Sequence, residues 1–283
     1  MIYQQLSLSD IQKNKKLSQI WNLVCEAHKG QKRKGTKNGI HPDYTTHLFK
    51  VMEIMANVLG NPKQTIQNKK LLPLFAMALT HDMIEDTVIN SQEKLTRVLE
   101  PILGTSGAKN IAFVIQELSN PPQGFSGNTK QEQDEAKKIW QIAHVKNISI
   151  FAKMVKMADQ ISNIADCVDM NMTKINKQGK RISVWSANKK ESYANKALSV
   201  CQACLIGVQH VPTQQKEVFC KLMDLAHSAY DYALLKINNP LTENMEFYNT
   251  LHYSLEQQNL LKIKPFFITK SVVRVNNGFI NIR

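Results

Sequence analysis

The stretch LLPLFAMALTHDMIEDT, Leu71 to Thr87, constrains the fold more than any other part of the chain. It opens as an apolar run (Leu71, Leu72, Leu74, Phe75, Ala76, Met77, Ala78, Leu79), with Pro73 where a helix can start. Its second half sets His81, Asp82, Glu85 and Asp86 directly onto that buried body. If the helix continues, His81 and Glu85 stack one turn apart, as do Asp82 and Asp86. An imidazole and several carboxylates crowded this closely repel and need partners. A divalent cation resolves the conflict, because neutral imidazole and carboxylate oxygen suit manganese, magnesium, zinc or iron. A solvated helix end whose charges face water resolves it too. The stretch alone leaves both open.

The rest of the chain reads as helices between short breakers. Ser9 to Lys29 predicts a first helix with Ser9 and Gln12 as a capping box. Asp43 to Leu59 predicts a second, with Leu48, Val51, Met52, Met55 and Leu59 on one face and Gly60-Asn61-Pro62 as its stop. Ser91 to Leu103 and Ala108 to Leu118 follow, then a loop over Asn120 to Gly127 and a charged helix over Thr129 to Lys146. Ile148 to Met170 is a long helix with Ile150, Met154, Met157, Ile161, Ile164 and Val168 as its buried stripe. A polar basic loop (Met172 to Arg181) leads to a helix over Ser183 to Val208. Beyond it, Gln214 to Leu235 and Thr242 to Lys262 read as helices, and FFITKSVVRV within Pro265 to Arg283 as an extended terminus. The expected fold class is all-α, a helical bundle with a C-terminal helical and extended appendage.

Charge narrows the partners. A net charge of +13 asks for something anionic: nucleic acid, a phosphorylated metabolite or an acidic protein. Part of that charge lies in KGQKRKGTKNG, where Lys29, Lys32, Arg33, Lys34 and Lys37 stand among glycines. The segment reads either as a solvated basic loop or as a phosphate cradle, Arg offering a fork and Lys a mobile point charge. It lacks interleaved aromatics, which weighs against single-stranded nucleic acid. No apolar run is long enough to span a bilayer, and MIYQQLSLSD lacks a signal-peptide pattern, so no membrane partner and a cytoplasmic location are expected. The five cysteines are odd in number and irregularly spaced, which argues against a disulfide framework. Cys201 and Cys204, a single C-x-x-C in an apolar helix, read as core packing.

Two further anomalies stand out. His47 near the start of the second helix could be a surface or core histidine as readily as a ligand. Asp159 sits beside the stripe of the long helix, with Lys156 and Asn163 three and four residues away on one face, where a plain salt pair would also suffice.

Taken together, AHKGQKRKG (Ala27 to Gly35), YTTHLFKVMEIM (Tyr44 to Met55), ALTHDMIEDT (Ala78 to Thr87), AKMVKMADQISN (Ala152 to Asn163) and WSANKKESY (Trp185 to Tyr193) resemble, in order, the motifs of one family. It is that of the HD-domain hydrolases of the RelA/SpoT type, particularly the stand-alone small alarmone hydrolases. The likeness spans roughly residues 17 to 200. It implies an HD-domain phosphohydrolase over 1–200 and an extension of unknown role over 201–283, which can cover the core, mediate a homo-oligomer or regulate access. It further implies one divalent metal ion, typically Mn2+, held by His47 (rather than His41), His81, Asp82 and Asp159. Glu85 and Asp86 would be the catalytic pair that activates or positions water. Lys29, Arg33, Lys34, Lys156, Asn163, Trp185 and Tyr193 would contact substrate. The implied reaction removes the 3′-pyrophosphate of guanosine 3′,5′-bis(diphosphate), (p)ppGpp, the small-molecule nucleotide of the stringent response, giving GDP or GTP. The chain departs from the family at Gln160 (usually Arg or Lys), Ser162 (His or Tyr) and Leu48 (Pro), positions expected to flank substrate. Those departures keep two alternatives in view: an HD-group hydrolase of another nucleotide or phosphorylated dinucleotide, and a basic helical binding module.

Overall fold

The computed structural model describes residues 3–121, 124–170, 173–175, 181–183, 185–239, 246–250, 273–275 and 278–280. Asn14 divides what apolar spacing joins. Where one helix is expected over Ser9 to Lys29, two form: α1 (Leu8–Gln12) and α2 (Lys15–Ala27). The Asn14 side chain accepts the Leu17 amide and starts α2 afresh. Ser7, not Ser9, caps α1, in a reciprocal box with Asp10.

The second expected helix forms as α3 (Thr45–Leu59), ended by Gly60 at φ 145°, and Pro62 opens the short α4 (Pro62–Thr65). The organising stretch forms α5 (Leu72–Thr80) and then α6 (Met83–Asp86). It does not run on as one helix. The chain turns at His81 and Asp82, where His81 Nδ1 bonds the Ala78 carbonyl at 2.9 Å and Asp82 leaves helical geometry. Next come α7 (Gln92–Leu103), capped by Ser91, and α8 (Thr105–Leu118), then α9 (Lys130–His144), capped by the Thr129–Glu132 box.

The long helix forms as α10 (Ile150–Asp169). It is buried on nearly every face and packs against α3, α5 and α8. Instead of a plain loop, the described residues after it include β1 (Thr173–Ile175) paired antiparallel with β2 (Arg181–Ser183). Ser186 then caps α11 (Ala187–Cys204), and Val208–His210 forms a 3-10 turn before α12 (Thr213–Asn238). Cys201 and Cys204 are fully buried in the core.

Helix α12 lies in the region expected as the C-terminal extension. It packs along both α10 and α11, and Phe219, Leu222 and Ala226 belong to the same apolar cluster as Phe75 and Leu79. Of the helix expected over Thr242 to Lys262, α13 (Phe247–Thr250) is described and the rest lies outside the described residues. In the terminal segment, β3 (Val273–Val275) pairs with β4 (Gly278–Ile280). Burial drives the assembly: each fully enclosed side chain such as Phe75 contributes about 1.5–3 kcal/mol relative to exposure. The all-α expectation is met.

Candidate metal centre

Three elements meet at one point. Helix α3 brings His47, the turn after α5 brings His81 and Asp82, and α10 brings Asp159. Ligand atoms of His47, His81 and Asp159 lie within 4.8 Å of one another, and all three residues are buried. His47 Nε2 is 3.2 Å from Asp159 Oδ1 and 3.9 Å from Asp82 Oδ2. His81 Nε2 is 3.1 Å from Asp82 Oδ2 and 3.7 Å from Asp159 Oδ1. His41, the other histidine of that region, is exposed and bonds the carbonyls of Arg33 and Gly35 instead.

The donor set suits a divalent cation. Both Nδ1 atoms are engaged, His81 with the Ala78 carbonyl and His47 with Ser162 Oγ at 3.0 Å. A proton held at Nδ1 leaves the Nε2 lone pairs facing the carboxylates. His81 Nε2 is fully buried without a well-formed hydrogen bond among the described residues, an orphan that a cation would satisfy. Electrostatics point the same way. Burial lowers His47, reinforced by the Arg33 charge. Burial would lower His81 as well, but the negative charges of Asp82 and Asp159 beside it outweigh that and push it up to about 10. Burial would raise Asp82, yet His81 holds it below the usual carboxylate range; for Asp159, Lys156 and both histidines do the same. A positive charge is wanted here, and a proton or a metal ion can supply it.

The surroundings hold the ligands. Tyr44 shares its hydroxyl proton between Asp82 Oδ2 (2.7 Å) and Asp86 Oδ2 (2.8 Å). Asp159 Oδ2 accepts from Lys156 Nζ at 3.0 Å and Gln160 Nε2 at 2.8 Å, while Oδ1 accepts from Asn163 Nδ2 at 2.6 Å. Gln160 and Ser162, expected to flank substrate, are therefore buried supports of Asp159 and His47. Leu48, the third departure, is wholly enclosed in the core. Tyr44 and Asp166 were not singled out by sequence reasoning. Tyr44 carried a signal, standing three residues before His47 at the head of the same helix; Asp166 carried none.

The outer residues divide. Glu85 and Asp86 lie on the exposed side, where the Asn120 backbone and side-chain amides both donate to Glu85. Burial, with the Asp82 charge, raises the Glu85 pKa. Arg33 is tied inward: Nη2 bonds Asp166 Oδ2 at 2.7 Å and Asn163 Oδ1 at 3.2 Å, and the guanidinium lies over the Tyr44 ring. Lys34 is exposed, and Lys29 is exposed beside Glu26. Trp185 and Tyr193 contact each other, ring centroids 5.1 Å apart, and Lys189 lies over the Trp185 ring.

No protein-family model matches the chain, and no curated protein does. A solved structure described as that of a metazoan ortholog of SpoT, which hydrolyzes ppGpp and plays a role in starvation responses, is similar. The likeness has a TM-score of 0.50 at 18% identity and covers 82% of this chain and 100% of that one. At that identity the likeness is one of fold. No helix among the described residues is long and apolar enough to cross a membrane.

Proposed function

We propose that the chain is a metal-dependent hydrolase that removes the 3′-pyrophosphate of (p)ppGpp, with manganese as the working cation, in the cytoplasm. One observation carries the reading: two imidazoles and two carboxylates converge from three elements, with Glu85 and Asp86 on the open side. The similar fold of a ppGpp hydrolase supports the choice of substrate.

His47, His81, Asp82 and Asp159 would hold the cation. Once bound, it supplies positive charge to the reacting phosphoryl group and lowers the pKa of water. The chain's own residues do the rest. Glu85, whose proton affinity is raised, is suited to accept a proton from the attacking water. Asp86, held by the Tyr44 hydroxyl, orients that water beside it. Tyr44 thereby couples a ligand carboxylate to a catalytic one. Arg33 neutralises Asp166 and stiffens the basic loop against α10, which leaves Lys34 to meet substrate phosphates. Asn163 positions both Asp159 and Arg33, and the Trp185–Tyr193 pair offers an aromatic surface for the base.

A nucleotide-panel hydrolysis assay with manganese tests this. The expected outcome is GDP or GTP plus pyrophosphate from the alarmone and little turnover of nucleotides lacking the 3′-pyrophosphate. Turnover confined to a nucleoside triphosphate or a phosphorylated dinucleotide would reassign the substrate. No turnover of any nucleotide, with metal bound, would reject the enzyme.

A further inference from the structure

Glu85 belongs to the short helix α6, on its solvent side. A glutamate so placed has several rotatable bonds and an exposed stem. A general base needs the opposite, a carboxylate held at a fixed distance and angle from the water it serves. The constraint comes from Asn120, in the loop between α8 and α9. Its backbone amide donates to Glu85 Oε1 at 2.8 Å and its side-chain amide to Oε2 at 2.5 Å. One residue thereby grips both carboxylate oxygens. Each oxygen keeps a second lone pair, so the grip leaves room to accept a proton.

Asn120 itself leaves from a turn that is held from behind. Helix α8 ends at Leu118, the Ser119 hydroxyl bonds the Ile115 carbonyl at 2.9 Å, and Pro121 favours extended backbone at Asn120. The last turn of α8 is tied on two sides. His144 Nε2 of α9 bonds the Glu117 carbonyl at 2.7 Å, and Glu117 Oε1 accepts the Ser149 amide at the head of α10 at 3.1 Å. Trp140 stacks on His144 with ring centroids 4.3 Å apart, and Phe125 of the same loop lies 5.6 Å from Trp140. The loop over Asn120 to Gly127 is therefore more than a connection. It starts from a turn fixed to α9 and α10, and its first residue reaches Glu85.

We propose that Asn120 is a positioning residue for the reaction: its two amide donors hold the Glu85 carboxylate where it meets the attacking water. The inference rests on the role given to Glu85 in the proposed function, and its test separates the two.

The experiment uses the full chain as wild type, Asn120→Ala, Asn120→Asp, Glu85→Gln and the Asn120→Ala/Glu85→Gln double variant. Turnover is measured with manganese and whichever nucleotide the hydrolysis panel identifies. Asn120→Ala keeps the backbone donor and removes the side-chain one, so kcat should fall roughly 10- to 100-fold while KM and the manganese-dependent rise in Tm stay as in the wild type. Asn120→Asp keeps the size and sets carboxylate against carboxylate, so it should do no better than Asn120→Ala. The double variant should be no slower than Glu85→Gln alone, because Asn120 acts only through that carboxylate. Wild-type kcat in Asn120→Ala or Asn120→Asp would overturn the role, as would losses that multiply in the double variant or a lost manganese shift in Asn120→Ala. A second readout needs no turnover. Hydrogen exchange of the Asn120 backbone amide, followed by NMR in the metal-free protein, should be slow in the wild type and faster in Glu85→Ala. If no nucleotide is turned over, the enzyme reading falls and exchange alone decides the grip: an amide that exchanges equally fast in both proteins overturns it.

Discussion

Asp82 and Glu85 are three residues apart but sit in different environments. Asp82 faces two histidines and the Tyr44 hydroxyl; Glu85 faces solvent and Asn120. Their substitutions should therefore separate binding from chemistry. Asp82→Asn keeps the shape and removes an anionic ligand, so manganese affinity should fall by roughly 100-fold or more. A thermal scan reads this directly. At 100 times its Kd, manganese stabilises the wild type by about 2.7 kcal/mol, a shift of roughly 4–5 °C for a chain of this length, and the variant at the same concentration should show almost none. Glu85→Gln with Asp86→Asn should keep the metal-dependent shift and lower turnover by roughly 10²-fold or more, measured as pyrophosphate release. Full turnover in that variant would take both residues out of the mechanism.

At the scale of elements, the outer wall of the site is where helices bearing like charge meet. Lys196 of α11 is half-buried near Lys137 and Lys138 of α9 and Lys156 of α10, with Asp134 as its acidic neighbour. Desolvation first, then the neighbouring lysines, lower its pKa from the ordinary 10.5 to about 8. The sign follows from linkage. Below about pH 8 the group is charged in both states, and the full penalty falls on the fold. Between about 8 and 10.5 the folded protein sheds the proton first, so the penalty fades as pH rises. Lys196→Met should accordingly raise Tm at pH 7, and the advantage should shrink through that window in calorimetric scans. A Tm difference that does not change with pH would mean that Lys196 acts through packing rather than charge.

Across the whole molecule, α12 decides how many cooperative units there are. Phe219 is almost wholly buried against a core that also encloses Phe75 and Leu79. Phe219→Ala should cost about 3–5 kcal/mol, the usual range for a buried Phe, and lower a single unfolding transition. A transition that splits in two, with the metal-dependent part unmoved, would mark α12 as separable.

The apolar periodicities of α3 and α10 were readable from the chain alone, because each helix must bury a face and the 3.6-residue period records which one, and α5 was readable as a continuous apolar run. The crowding of His81, Asp82, Glu85 and Asp86 was readable too, since charge set on a buried helix demands a partner wherever that helix goes. Local capping was less legible: Ser7 and Asn14 outcompete Ser9 through side-chain geometry that composition does not encode. The break at His81, the ion pair of Arg33 with Asp166 130-odd residues on, and the meeting of Ser162 with His47 were decided by tertiary structure. Periodicity is a property of neighbours along the chain. Which hydroxyl supports which imidazole depends on contacts between residues far apart in sequence, and only packing brings those together.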